Sequence, residues 1–159
     1  AAGVANATVL HHFGSIDAVQ QALMERMIAD LVDAIMDKRP DVALAATERL
    51  FRDGVEAPYL ITMIARQARM VAIAQELAAR KAPQSEWAPS LGTTSDFVVR
   101  KTSEQARRMP PEAVCGLYRL LLEADMAMKT GETTEELAVT ELLARAGALR
   151  AAPRPGARR

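Results

Sequence analysis

Four cations on one predicted helix are the residues best placed to do chemistry: Arg100, Lys101, Arg107 and Arg108. Seven residues make about two helical turns, so Arg100 shares a face with Arg107, and Lys101 with Arg108. Two readings are open. The four form a basic stripe that meets an acidic neighbour or a nucleic-acid backbone, or they are a solvated face with Glu104 as an internal partner. Asp125 lies near the apolar side of the next predicted helix. A carboxylate buried there needs a capping or ionic partner, and a contact with another subunit is one source. His11 and His12 are adjacent, and neighbouring helical residues point about 100° apart, so without a third ligand they make a poor metal pair. Cys115 is the sole cysteine, with only Arg119 beside it at helical spacing, so an inert or buried thiol is expected. There is no Ser/His/Asp grouping, no supported carboxylate pair and no Gly-x-x-x-x-Gly-Lys-Ser/Thr phosphate loop. The pattern predicts no enzyme, no catalytic residue, no cofactor and no metal.

The elements that position these residues read as helices throughout. Hydrophobic residues make up 50% of the 159 and charged residues 25%, as in an ordinary folded domain. The apolar set is mainly Ala, Leu, Met and Val, which lose little side-chain freedom in a helix, and aromatics are scarce. Periodicity predicts an all-α bundle of about seven or eight helices and no sheet. A short helix spans 4–12. Ser15 caps the next, whose stripe is Val19, Leu23, Met27, Leu31 and Ile35, and Pro40 ends it. The third opens at Asp41, turns Val42, Leu44, Ala45, Leu50 and Phe51 inward, and closes at Gly54. The fourth, about 57–80, is apolar nearly all round, as a central buried helix is. Residues 82–94 carry two prolines, Gly92 and Trp87 and read as a loop with at most one helical turn, Trp87 packing onto its own domain. Thr94 or Ser95 caps the fifth long helix, ending near Arg108, and Pro110-Pro111-Glu112 starts the sixth, ended by Gly131. Thr133-Thr-Glu-Glu136 is a capping box opening the last, with Leu137, Val139, Leu142, Leu143 and Ala146 inward. The eight Met residues are expected as core filler, and the tail after Arg150 as disordered.

Net charge is zero, against the basic excess usual for a dedicated duplex-DNA binder. No apolar run approaches the roughly 20 residues that span a bilayer, and Ala1-Ala-Gly-Val lacks the basic start of a secretory signal. A lone cysteine fits a reducing cytoplasm. The chain opens without Met, as a fragment would.

Two stretches carry resemblances. Asp30-Leu-Val-Asp-Ala-Ile-Met-Asp-Lys-Arg-Pro-Asp-Val-Ala-Leu44, Leu50 to Gly54, Ile64-Ala-Arg-Gln-Ala-Arg69, Val98-Val-Arg-Lys101, Glu104-Gln-Ala-Arg-Arg108 and Leu120 to Gly131 follow one another in an order and spacing that resemble the C-terminal helical domain of the bacterial DNA polymerase III delta subunit. The resemblance covers about residues 30–150. It implies a collar domain that packs with the equivalent domains of other clamp-loader subunits in DNA replication, with no small-molecule ligand. The nucleotide-binding-like domains that open the clamp have no counterpart here, so no clamp opening by this chain alone is expected. Arg100, Lys101, Arg107, Arg108 and Asp125 are then candidate assembly residues.

Ala2-Gly-Val-Ala-Asn-Ala-Thr-Val-Leu-His-His-Phe-Gly-Ser-Ile-Asp-Ala-Val19 instead resembles the recognition half of a TetR-type helix-turn-helix. By position, Asn6, Thr8, His11 and His12 would face DNA, with Val9 and Phe13 in the core. Leu10 stands where that family has Tyr, and Ile16 where it has a phosphate-contacting Lys. The supporting helix is also missing, and a recognition helix needs one to hold its angle in the groove. The expected organisation is a helix-turn-helix-like segment over 1–29, a delta-like domain over 30–150 and a tail over 151–159, the first joint falling inside one helix. The alternatives to an assembly module are a truncated TetR-type regulator and a helical bundle with neither activity.

Overall fold

The computed structural model describes residues 16–37 and 39–149. They form seven α-helices and one 3₁₀ turn, with no strand among the described residues. In chain order these are α1 (Ile16–Met36), α2 (Pro40–Arg52), α3 (Ala57–Ala79), a 3₁₀ turn (Gln84–Glu86) running into α4 (Trp87–Leu91), α5 (Asp96–Arg108), α6 (Pro111–Thr130) and α7 (Glu135–Ala146). The expected helix over 4–12, the expected tail and the residues Asn6, Thr8, His11 and His12 lie outside the described residues.

Local chemistry sets the boundaries. Prolines stand in the first turns of α2, α3 and α6, where a missing N–H costs no helical bond. The Ser95 hydroxyl accepts from the Val98 amide and the Thr134 hydroxyl from the Leu137 amide, so Thr134, not Thr133, caps α7. Gly131 closes α6 in the left-handed region at φ 71°, and the Glu132 amide reaches back to the Ala127 carbonyl.

Helix α3 is the hub and packs against α1, α4, α5, α6 and α7. The main core joins Leu31 and Ile35 of α1, Leu50 of α2, Leu60 and Ile64 of α3, Leu117 and Leu121 of α6, and Val139 and Leu142 of α7. Each fully buried residue of this size contributes roughly 1.5–3 kcal/mol. A smaller core joins Met70 and Ala74 of α3 to Leu91, Val98 and Val99.

Four expectations are corrected here. Residues 82–94 are more than a loop: Trp87 lies against the smaller core, its indole N–H donates to the Ala82 carbonyl at 3.4 Å, and left-handed Gly92 closes α4. Pro89 is tolerated there because the first turn of a helix has no carbonyls to bond. In α1 the buried set begins at Ile28, and Leu23 is 56% exposed, because α1 becomes enclosed only along its second half. In α2 the inward residues are Ala43, Thr47 and Leu50, while Val42, Leu44 and Ala45 face out. The small pair Ala43 and Thr47 is what α2 turns inward, and the Thr47 hydroxyl is satisfied by the Ala43 carbonyl at 3.0 Å. Leu137 is exposed in the first turn of α7, and Ala138 takes the inward place.

Candidate functional site

The run Leu31-Val32-Asp33-Ala34-Ile35 sets a carboxylate inside an apolar stretch, and α5 answers it. Asp33 Oδ1 accepts from Arg108 Nη2 at 2.5 Å and from Gln105 Nε2 at 3.0 Å, and Oδ2 pairs with the Lys101 ammonium. Lys101 also reaches Asp30 at 3.3 Å, and Arg108 reaches Asp37 at 3.0 Å. Gln105 has no exposed surface. Its amide donates a second bond to the Ala29 carbonyl at 3.0 Å, and its Oε1 accepts from Gln67 Nε2 at 2.7 Å. Gln67 in turn reaches the buried Thr102 hydroxyl at 3.2 Å. One polar network therefore ties α1, α3 and α5, with its buried donors and acceptors matched as a low-dielectric interior requires. The hydrogen bond to Asp33 holds the Lys101 ammonium above its ordinary 10.5, against the opposing effect of desolvation and with the charges of Asp33 and Asp30 in support.

The four predicted cations divide. Lys101 and Arg108, two turns apart, converge on the aspartates of α1 within the chain. Arg100 lies over the Phe97 ring at 5.9 Å and Arg26 over the same ring at 5.2 Å, as cation–π partners. Arg107 donates to the Ser103 hydroxyl at 3.2 Å. Glu104 forms no ion pair with any of them among the described residues. Asp125 is half-buried and pairs with Lys129 at 2.6 Å, one turn on. Of the inert or buried thiol expected at Cys115, burial is not found: the residue is exposed, because the apolar side of α6 is carried by Ala113, Val114, Leu117, Leu120 and Leu121.

Asp33, Gln67 and Gln105 went unseen as a group. A signal existed: Thr102 and Gln105 share the helical face of Val98, so that face was polar where it had to be buried.

The described surface offers apolar faces and several open grooves, one of them broad. The groove, about 970 Å³, runs between the first half of α1 and the α4–α5 junction, with Ala22, Leu23, Pro89 and Phe97 on its walls. On α6, Tyr118, Leu122 and Met126 recur every fourth residue and are 37%, 62% and 53% exposed. Among the described residues no cluster of His, Cys, Asp or Glu is placed to hold a metal, and no helix is long and apolar enough to cross a membrane.

A central helix ringed by shorter ones, cross-tied by side-chain polar bonds and showing apolar helix faces, defines an all-α bundle domain. The family is shown by sequence: the model of the DNA polymerase III delta subunit, C-terminal domain, matches residues 25–146, and the chain belongs to that family. Its fold is similar to that of the Bacillus subtilis DNA clamp loader delta protein (YqeN), with a TM-score of 0.72 at 22% identity. The match covers 84% of this chain and 40% of that one, so the chain spans well under half of the protein it resembles. No curated protein matches the chain. The matched region starts nine residues into α1.

Proposed function

We propose that this chain is an assembly domain of a clamp-loader delta protein, holding its place in the loader through helix faces and acting in bacterial DNA replication in the cytoplasm. The observation that carries this reading is the family match over residues 25–146, on a fold like that of a clamp loader delta protein. The arrangement of side chains supports it. Lys101 and Arg108 are engaged by the aspartates of α1, which leaves only Arg100 and Arg107 of the four cations without an ion pair among the described residues. Large apolar side chains also reach the surface, including Leu122, Met126, Leu23 and Val42, and apolar helix faces of this kind support contacts with other proteins. The partners of this reading are the other clamp-loader subunits, and its work is non-catalytic.

Competition tests it. Purified chain is titrated into a reconstituted clamp loader that contains a labelled full-length delta subunit. The expected result is displacement of the labelled subunit as the chain is added. Retention of the label at a hundredfold molar excess of chain overturns the assembly role.

A further inference from the structure

We infer that the groove between the first half of α1 and the α4–α5 junction is the docking site for an acidic peptide segment of a partner protein. A large apolar side chain of that segment lies in the trough, and its neighbouring carboxylates are held by Arg26 and Arg100. This goes beyond the assembly reading and does not depend on it.

The groove follows from spacing. Val19, Ala22, Leu23 and Arg26 stand at i, i+3, i+4 and i+7, so they share one face of α1. Enclosure of α1 begins only at Ile28, which leaves that face open and Leu23 56% exposed. Pro89 of α4 and Phe97 in the first turn of α5 form the opposite wall. At about 970 Å³ the trough holds several side chains, far more than a single ion would fill.

Charge selects the occupant. Arg26 lies 5.2 Å and Arg100 5.9 Å from the centre of the same Phe97 ring, and neither forms an ion pair or a hydrogen bond among the described residues. Two guanidiniums gathered on one ring repel each other, and an anion held by both relieves that repulsion. The other arginine of the groove, Arg66, is already answered by Glu25 at 3.3 Å. Unmet positive charge is therefore confined to the Phe97 end, beside a wall of Ala22, Leu23 and Pro89. A nucleic-acid strand needs cations along its backbone; here it would run past Glu25 and leave Leu23 uncovered. A carboxylate-bearing peptide matches both parts. Its apolar side chain covers Leu23 and Pro89, and its carboxylates accept from guanidiniums that Phe97 holds in place. Residues 1–15 of this chain contain no Asp or Glu, so they cannot supply those carboxylates.

Fluorescence anisotropy on the full chain tests this. The probe is a short labelled peptide with a central Leu-Phe flanked on both sides by glutamates, run beside its glutamine twin. The acidic probe is expected to bind with a Kd of tens to hundreds of micromolar. An exposed ion pair is worth a factor of about five at most, so Arg26→Gln with Arg100→Gln is expected to weaken binding about ten- to twentyfold. Leu23→Ser is expected to weaken it about fivefold. Arg107→Gln removes the same charge elsewhere on α5 and is expected to change nothing. Circular dichroism shows that each variant stays helical. No binding at roughly 1 mM chain, equal binding of the glutamine twin, or an Arg107→Gln loss as large as that of the double variant overturns the proposal. An oligothymidylate that binds more tightly than the acidic probe, and is lost with the same double variant, overturns it in favour of nucleic acid.

Discussion

Replacing Asp33 with Asn keeps the shape of the side chain and removes its charge, and this should be among the most costly surface-reaching changes in the domain. Asp33 accepts from three donors on α5, which differ in how easily they return to water. Gln105 is fully buried and cannot; the Lys101 side chain is 20% exposed, and that of Arg108 44%. A buried hydrogen bond to a charged group contributes about 1.5–3 kcal/mol, and an exposed ion pair at most about 1 kcal/mol. The substituted amide can still accept from Gln105 but turns its own hydrogens toward a cation. The expected loss is about 2–3 kcal/mol for Asp33→Asn, against less than about 1 kcal/mol for Arg108→Met, whose partner keeps two other donors. For a chain of this size that corresponds to about 5–10 °C in Tm for Asp33→Asn. Urea unfolding followed by far-ultraviolet circular dichroism measures both, and the double variant gives the coupling. A stability for Asp33→Asn within about 0.5 kcal/mol of wild type, or Arg108→Met as costly as it, would refute the view that the carboxylate anchors the tie.

Four further outcomes are expected. Lys81 occupies the left-handed region at φ 53° just after α3, with the Ala82 amide bonded to the Leu77 carbonyl; Lys81→Gly should raise stability by about 0.5–1 kcal/mol, and Gly131→Ala should lower it by about 1 kcal/mol, both read in urea. Burial raises the Tyr118 phenol above 10.0, and the Asp33 bond raises Lys101 above 10.5. In each case the folded state holds its proton more tightly, so stability is intact below the ordinary value and falls as pH rises through the folded one. Thermal melts between about pH 9 and 12 should therefore decline less steeply in Lys101→Met than in wild type, and an unchanged slope would count against the tie. A Cβ added at Gly116 would lie 2.7 Å from a terminal methyl of Leu149. Gly116→Val should therefore loosen the end of the chain from α6, seen as faster proteolytic trimming after Ala146.

How much was legible in the sequence depended on the kind of signal. Helix ends marked by Pro111, Gly131 and Ser95 were readable because each acts through its own backbone or its nearest amides. The central place of α3 was readable because its apolar residues wrap the helix. Inward faces failed where small residues do the packing: Ala43 and Thr47 lie inside and Val42 and Leu44 outside, a choice made by the approach of α2 to α1. The polar tie was half legible. Lys101 and Arg108 were seen to share a face, but their partner lies some seventy residues earlier in the chain, and no local spacing points to Asp33. Gln67 and Gln105 are polar residues that tertiary packing buries.

The central claim, that this domain is an assembly element of a clamp loader, is tested most directly by size-exclusion chromatography with light scattering. Purified chain is mixed with the purified remaining clamp-loader subunits and run beside each component alone. The account predicts a new peak that contains the chain and has the mass of a complex. A chain that is helical by circular dichroism yet elutes at its own position, with the other subunits unshifted, would contradict it.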